Sequence, residues 1–379
     1  MPGSLKVCIA SALGRAQGPD HTEAIVADRL LKYGFRISFA TNCTLDIVEH
    51  FSRNFGIHIP TNTPRYGVLP AFVKAYPSFA PFFVWAAVQR AVRDERPDFL
   101  FCDGVPYRVK KSRNRPVTAV YFSEPTQLSR PGRAHATFNT PAHLGMYHIL
   151  FGMIQDAISE FDYDILIANS KAGADFFEKT LRRKVHVLFS PVDTRRFAPG
   201  AKENLVTAVG ILIPRKNFEV VIDGVALART KPRLAIVGNV LPNMRAYLES
   251  LKSRARALGV EDRVSFHLNV SDSELRNIVS RSKVCVSAGV EYLSLAVLEQ
   301  MSAGCVPIVS RSFVPWREIL EQGRYGYGFD SAEEIAETID MILDDTELYE
   351  KMGAAAMMRA KEFDIEKFGK QLVHILLHG

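Results

Sequence analysis

A chain of 379 residues exceeds what one hydrophobic core usually supports, so two domains are expected. An apolar share of 47% and a charged share of 23% are those of an ordinary soluble globular protein. The net charge of +6 is unevenly placed: residues 1–200 carry 25 Lys+Arg against 17 Asp+Glu, and the rest carry 22 against 24. This front-half excess suits an anionic surface or acidic ligand, or is simply a solvated basic face, and no nucleic-acid motif accompanies it. Five scattered cysteines, Cys8, Cys43, Cys102, Cys285 and Cys305, sit mostly in apolar strand-like runs and read as reduced core residues of a cytosolic protein. The start, LKVCIASALGRA, lacks the long apolar core of a signal peptide and is expected to be the first strand.

Short runs rich in β-branched or aromatic residues predict front-half strands at 6–10, 36–41, 98–102, 117–122, 164–168 and 185–189. Helical patterns such as 22–33 and 146–160 lie between them. Alternation of this kind argues for a parallel, doubly wound sheet whose ligands sit beyond the carboxyl ends of the strands. Next comes PVDTRRFAPG, with prolines near both ends and no periodicity, which reads as a linker. The pattern then restarts, with strands at 205–209, 233–237, 263–267, 283–287 and 306–310 alternating with helices at 218–230, 244–258, 273–280 and 295–303. Helices at 332–343, 347–361 and 363–377 close the chain. The economical architecture is α/β, with two Rossmann-like domains facing a central cleft. Domain 1–190 leads through linker 191–200 to domain 201–362, and segment 363–379 could return to the first domain.

One stretch complicates the soluble reading. Residues 72–92, FVKAYPSFAPFFVWAAVQRAV, carry Phe79, Phe82, Phe83 and Trp85, with Lys74, Arg90 and Arg93 near the edges. Its uninterrupted apolar part, 80–88, is too short to span a bilayer. Two readings stand: a core-facing helix, or an element lying on a membrane surface.

The stretch around which the rest is organised is VCVSAGVEYLSLAVLEQMSAGCVP, residues 284–307. It reads as a strand, a tight turn and a helix ended by Gly304. Glu291 in the turn and Glu299 on the helix are eight positions apart with almost nothing polar between them. An acid flanked by Leu295, Val297, Leu298 and Met301 loses hydration and needs a hydrogen-bond partner, which a sugar hydroxyl can be.

Glu291 and Glu299, the helix ending in MSAGCVPIV and the earlier VGILIPRKNF together resemble the GT-B glycosyltransferases of the large retaining family 4. The likeness continues through ANSKAGADFF, SPVDTRRF, VSDSELRNIVSRSKVCVSA and FDIEKFGKQL, covering most of 160–370. It implies a nucleotide-diphosphate sugar as donor, with Lys216 holding the diphosphate, Glu291 reaching donor-sugar hydroxyls and Glu299 binding the ribose. The chemistry is coherent with those roles. A diphosphate needs backbone N–H groups at a helix N-terminus, offered by the turn that contains Ser294 and Leu295, and fixed cations, offered by Arg215 and Lys216. Gly210 and Gly238 fall at strand ends where the family places donor-binding backbone, and Gly14 matches a glycine loop near donor phosphate and acceptor.

Departures from the family accompany the matches. Glu291 is followed by Tyr292, Leu293, Ser294 and Leu295 where the family has glycines, which let backbone approach a phosphate closely. Gly210 is followed by Ile211 in place of an arginine, and Ser123, before Glu124 and Pro125, replaces a donor-touching histidine.

No competing constellation emerges. His135, His143 and His148 lack a cysteine or carboxylate at metal-ligand spacing, and neither a G-x-S-x-G nor a P-loop motif occurs. Asp162-Tyr163-Asp164 lies at the start of a predicted strand, the wrong end for a metal site. The reading is therefore a retaining, metal-independent hexosyltransferase, mannose- or glucose-type, cytosolic or peripheral at a membrane face. It has no cofactor beyond its nucleotide-sugar donor, and a glycan or lipid-linked acceptor on the basic first domain. A non-catalytic sugar-nucleotide-binding protein and a GT-B nucleotide-sugar epimerase remain as alternatives.

Overall fold

The computed structural model describes residues 5–11, 18–41, 47–67, 80–105, 107–109, 114–122, 163–290 and 293–379. The chain divides into two units: Met1–Phe189 together with Phe368–Gly379, and Ser190–Lys367.

In the first unit the strands are β1 (Lys6–Ser11), β2 (Arg36–Thr41), β3 (Arg65–Gly67), β4 (Phe99–Asp103), β5 (Val117–Phe122), β6 (Ile165–Ala168) and β7 (His186–Val187). They form one sheet in the order β3-β2-β1-β4-β5-β6-β7, every pairing parallel, so the order reverses between β1 and β4. Described helices are α1 (Gly18–Lys32), α2 (Ile47–Phe55), α3 (Ala80–Glu95) and α4 (Lys171–Leu181). Parallel strands covered on both faces need near-continuous apolar sequence, and β1, β4 and β5 supply it. On α3, Val84, Ala87, Val88 and Ala91 recur at helical spacing and are buried against Cys8, Leu100 and Val120. That settles one face of α3 as core. Phe82, 37% exposed, stays on the surface in ring contact with Phe83 and Trp85. Trp85 donates its indole N–H to the carbonyl of Arg108 at 3.0 Å.

The second unit has β8 (Glu203–Val209), β9 (Arg233–Gly238), β10 (Val264–Leu268), β11 (Ser282–Ser287), β12 (Val306–Ser310) and β13 (Tyr327–Phe329). Their order is β10-β9-β8-β11-β12-β13, again all parallel, with the reversal between β8 and β11. Helices are α5 (Phe218–Leu227), α6 (Arg245–Ala257), α7 (Asp272–Arg281), α8 (Leu295–Ser302), α9 (Val314–Glu318), α10 (Ala332–Asp344), α11 (Thr346–Ala360) and α12 (Ile365–His378), which runs from the second unit into residues of the first.

Two strands escaped the sequence reading, β3 and β13, because three residues are too few to show a period. The expected strand at 185–189 narrows to two residues. Segment 190–200 belongs to the second unit, where it is tied to the chain before α12. Val192 donates to Phe363 O at 2.9 Å, and Thr194 donates its hydroxyl to Asp364 at 2.6 Å. Asp164 is held by Arg115 through two hydrogen bonds of 2.7 Å, which accounts for it structurally. Cys8, Cys102, Cys285 and Cys305 are free and buried. Among the described residues, no helix is long and apolar enough to cross a membrane. The expected helix at 146–160, Cys43, residues 72–79, Asp162 and the histidines His135, His143 and His148 lie outside the described residues.

Candidate functional site

The second unit's reversal point, between β8 and β11, is where an open α/β sheet presents a crevice beyond its strand ends. Chain leaving β8 enters it at Gly210 and makes a short 3-10 turn, Pro214–Lys216, before α5. Two ladder-like bonds stitch this loop to the end of β9: Gly210 donates to Val237 O at 3.0 Å and Leu212 to Asn239 O at 2.9 Å. The approach is so close that a Cβ on Gly238 would lie 1.7 Å from Gly210 O. Only glycine fits there, which makes close contact the role of Gly238.

The cation loop then meets the strand that leads to the acids. Val290 donates its N–H to Arg215 O at 3.1 Å. A Cβ on Gly289 would stand 2.9 Å from Lys216 Cδ, 3.0 Å from its Cα and 3.2 Å from Arg215 O. A Cβ on Gly210 would lie 3.5 Å from Lys216 Cε. The lysine stem therefore runs between two glycines, its backbone fixed by a hydrogen bond from Lys216 N–H to Ile213 O at 3.0 Å. Gly289 was not among the residues singled out from sequence; its one signal was a glycine two positions before the first acid.

Helix α8 follows with Ser294 at its N-cap, 2% exposed, its hydroxyl not capping the helix. The first-turn N–H groups that begin at Leu295 have no intrahelical partner, as at any helix start. A buried polar network locks the helix to the sheet. Thr207 of β8 donates to Gln300 Oε1 at 2.7 Å, Gln300 donates to Ala296 O at 2.8 Å, and Ser282 of β11 donates to Leu205 O at 2.8 Å. Lys202 closes the other end by donating to Ala303 O at 2.6 Å and Ser282 O at 2.8 Å. Gly304, at φ +79°, ends the helix in the left-handed conformation expected of a C-terminal glycine.

Glu299, beside Gln300, is half-buried. Burial pushes its carboxyl up to about 7; the nearby Arg196 guanidinium opposes that rise and Asp272 adds to it. Arg196 comes from the 190–200 segment that opens the second unit and forms an ion pair with Asp272 at the start of α7, and Arg276 pairs with the same carboxylate at 2.9 Å. Both Arg196 and Asp272 fall in stretches whose pattern was visible, SPVDTRRF and VSDSEL, but nothing in either reveals that they meet near Glu299.

The structure thus brings Arg215, Lys216, Gly210 and Gly238 together at one strand-end crevice, and joins them through Gly289 and Val290 to the chain that carries α8, Ser294, Leu295 and Glu299. Glu291, with Tyr292, lies outside the described residues, as do Gly14, Ser123 and Glu124 of the first unit. Among the described residues no group of three or more His, Cys, Asp or Glu is placed to hold a metal ion.

Two parallel sheets, each reversing its strand order once and each covered by helices, make this a two-domain α/β GT-B fold. Anabaena HepE in complex with UDP and glucose superposes with a TM-score of 0.71 over 98% of this chain and 99% of that one, at 15% identity. More particularly, residues 192–359 match the family model of glycosyl transferases group 1, and the second unit is a domain of that family. Curated relatives include the GDP-Man:Man(3)GlcNAc(2)-PP-Dol alpha-1,2-mannosyltransferase of Dictyostelium discoideum, 23% identical over 60% of this chain and 50% of the relative. Another is the GDP-mannose:cellobiosyl-diphosphopolyprenol alpha-mannosyltransferase of Komagataeibacter xylinus, 30% identical over 50% of this chain and 49% of the relative. The chain spans about half the length of the curated relatives it matches.

Proposed function

We propose that the protein is a hexosyltransferase that moves a sugar from a nucleotide-diphosphate donor to a glycan or lipid-linked acceptor, with mannose from GDP-mannose the favoured donor. One observation carries the reading: within a glycosyl transferases group 1 domain, Lys216 is packed between Gly210 and Gly289, against the strand end that leads to Glu291 and Glu299. In this reading the α8 N-terminus and the Arg215–Lys216 cations receive the diphosphate, and Glu299 accepts hydrogen bonds from the ribose hydroxyls. Glu291 reaches the donor sugar. Bond cleavage leaves negative charge on the departing phosphate oxygen, and fixed cations there stabilise the transition state without a metal ion. Transfer proceeds with retention at the anomeric carbon, and the donor phosphates help remove the acceptor proton. Mannose is favoured because both curated relatives act from GDP-mannose according to their names. Their diphospholipid acceptors also suit the exposed Phe82, with half-buried Phe83 and Trp85 beside it, as a contact with a cytosolic membrane face.

A thermal-shift panel of GDP, UDP, GDP-mannose and UDP-glucose tests the donor class, because a ligand that binds the folded state raises its melting temperature. GDP and GDP-mannose are expected to give the larger shifts. No shift with any of the four would sink the reading. Proton NMR of the product's anomeric signal then reads retention directly.

A further inference from the structure

Helix α8 is held against its sheet by two kinds of contact, and the second is polar. Val297, Leu298 and Met301 bury its apolar side. Gln300 is buried with them, although an apolar side chain would fill the same space without the cost of taking an amide out of water. What the amide meets fixes its orientation. Its Nε2 donates to Ala296 O at 2.8 Å, and a flipped amide would set two acceptors face to face. Oε1 therefore faces Thr207 of β8 and accepts the hydroxyl proton of that residue at 2.7 Å.

Thr207 stands where β8 and β11 fall out of step. Ser282 pairs with Glu203 but Val284 pairs with Val206, so β8 carries one extra residue just before Thr207. Ser282 closes that irregularity by donating to Leu205 O at 2.8 Å, and its hydroxyl lies 3.0 Å from that of Thr207. Beyond Thr207 the same strand runs through Val209 into Gly210, where the loop bearing Arg215 and Lys216 begins. On the helix side, Ala296 follows Leu295 in the first turn, and Glu299 immediately precedes Gln300. The Thr207–Gln300 bond thus joins the strand that leads to the cations directly to the helix that presents the first-turn N–H groups and Glu299.

We propose that Thr207 and Gln300 are positioning residues for the donor, their hydrogen bond setting the register of α8 against the Arg215–Lys216 loop. The inference rests on the glycosyl-transfer reading, in which the two elements hold the same nucleotide diphosphate. Apolar contact is non-directional and leaves a helix free to slide or turn slightly, whereas a hydrogen bond with both ends fixed does not. Binding constellations need their groups held within about 0.5 Å, and a displacement of about 1 Å costs about 100-fold in rate.

The test uses the full chain and whichever of GDP and UDP gives the wild type the larger melting shift. In the double variant Thr207→Val with Gln300→Met neither end of the bond is left as an unpaired polar group, so its melting temperature is expected to stay close to that of the wild type. Titration calorimetry is nevertheless expected to show the nucleotide binding it about tenfold more weakly. Thr207→Val alone leaves Gln300 Oε1 buried without a donor and is expected to lower both melting temperature and affinity. Thr207→Ser keeps the hydroxyl and is expected to bind the nucleotide as the wild type does. Wild-type affinity in the double variant overturns the proposal. So does a loss of affinity that only tracks melting temperature across the three variants, because that marks a structural role. Either result with the wild-type nucleotide shift intact sinks this proposal alone, whereas a wild type that shifts with neither nucleotide sinks the donor reading and this inference with it.

Discussion

The two units reverse their strand order at equivalent places, one between β1 and β4 and the other between β8 and β11, yet the chemistry at those places is opposite. In the first unit the reversal point holds Asp20, Glu23 and Asp103, two of them pushed up by burial. In the second it holds Arg215 and Lys216, backed by glycines that bring the loop close. Topology therefore fixes where each unit offers a crevice, and a handful of loop residues decides whether it attracts an anion or a hydrogen-bond donor.

The most severe way to break the contrast is Gly238→Ala. With its Cβ placed 1.7 Å from Gly210 O, the loop after β8 has to move away from β9, carrying Lys216 with it. A loss of about 3 kcal/mol of stability is expected, at the upper end of overpacking costs, and chemical denaturation would register it. Gly34→Ala is a useful comparison, because a Cβ there meets nothing within 4 Å and the cost is confined to its positive φ of +84°.

Lys216→Met separates charge from packing. The methionine stem can still lie between Gly210 and Gly289, so the melting temperature is expected to hold while transfer falls by about 100-fold, the usual loss for one fixed transition-state donor. Unchanged turnover would remove the lysine from the mechanism.

Glu299 supplies a pH test. Its folded value is raised to about 7, so it is ionised above that pH and protonated below it. A charged carboxylate accepts hydroxyl hydrogen bonds more strongly than a neutral acid. GDP affinity, by titration calorimetry, is thus expected to weaken as pH falls from 8 to 6, by about tenfold, and Glu299→Gln is expected to be weak and flat across that range.

Glu23 gives the smallest effect and the sharpest comparison with Glu299, because it acts on stability in the unit that lacks the cation loop. Its folded value lies above the unfolded one. The unfolded chain therefore releases this proton first, and stability is fully present below the ordinary carboxylate value and declines as pH rises toward the folded value. Glu23→Gln removes that decline, so its melting temperature relative to wild type is expected to be higher at pH 8 than at pH 5. A constant difference across the range would show that Glu23 is ionised in the folded state.

How much of this was legible in sequence varies by residue. Gly304 announced the end of α8, and the periodicity of Val84, Ala87, Val88 and Ala91 announced the buried face of α3, because both are local patterns. Lys216 and Glu299 were singled out through motif and spacing. Gly289, Arg196 and Asp272 were not, since each matters through a contact with a residue far along the chain. The Glu23–Asp103 pair was missed entirely: the two residues are separated by β2, β3 and most of the unit's early helices, and neither stands in a motif.

By itself, then, the sequence determined the alternation of strands and helices, the two-domain α/β class and the identity of the chain stretch that bears the acids, because these follow from periods of a few residues and from ordered motifs. Only the tertiary structure decided that Lys216 is sandwiched between Gly210 and Gly289, that Arg196 and Asp272 stand by Glu299, and that two carboxyls meet at the first unit's reversal point. Parallel sheets join strands that are distant in the chain, so residues at neighbouring strand ends carry no shared local signal until the sheet is assembled.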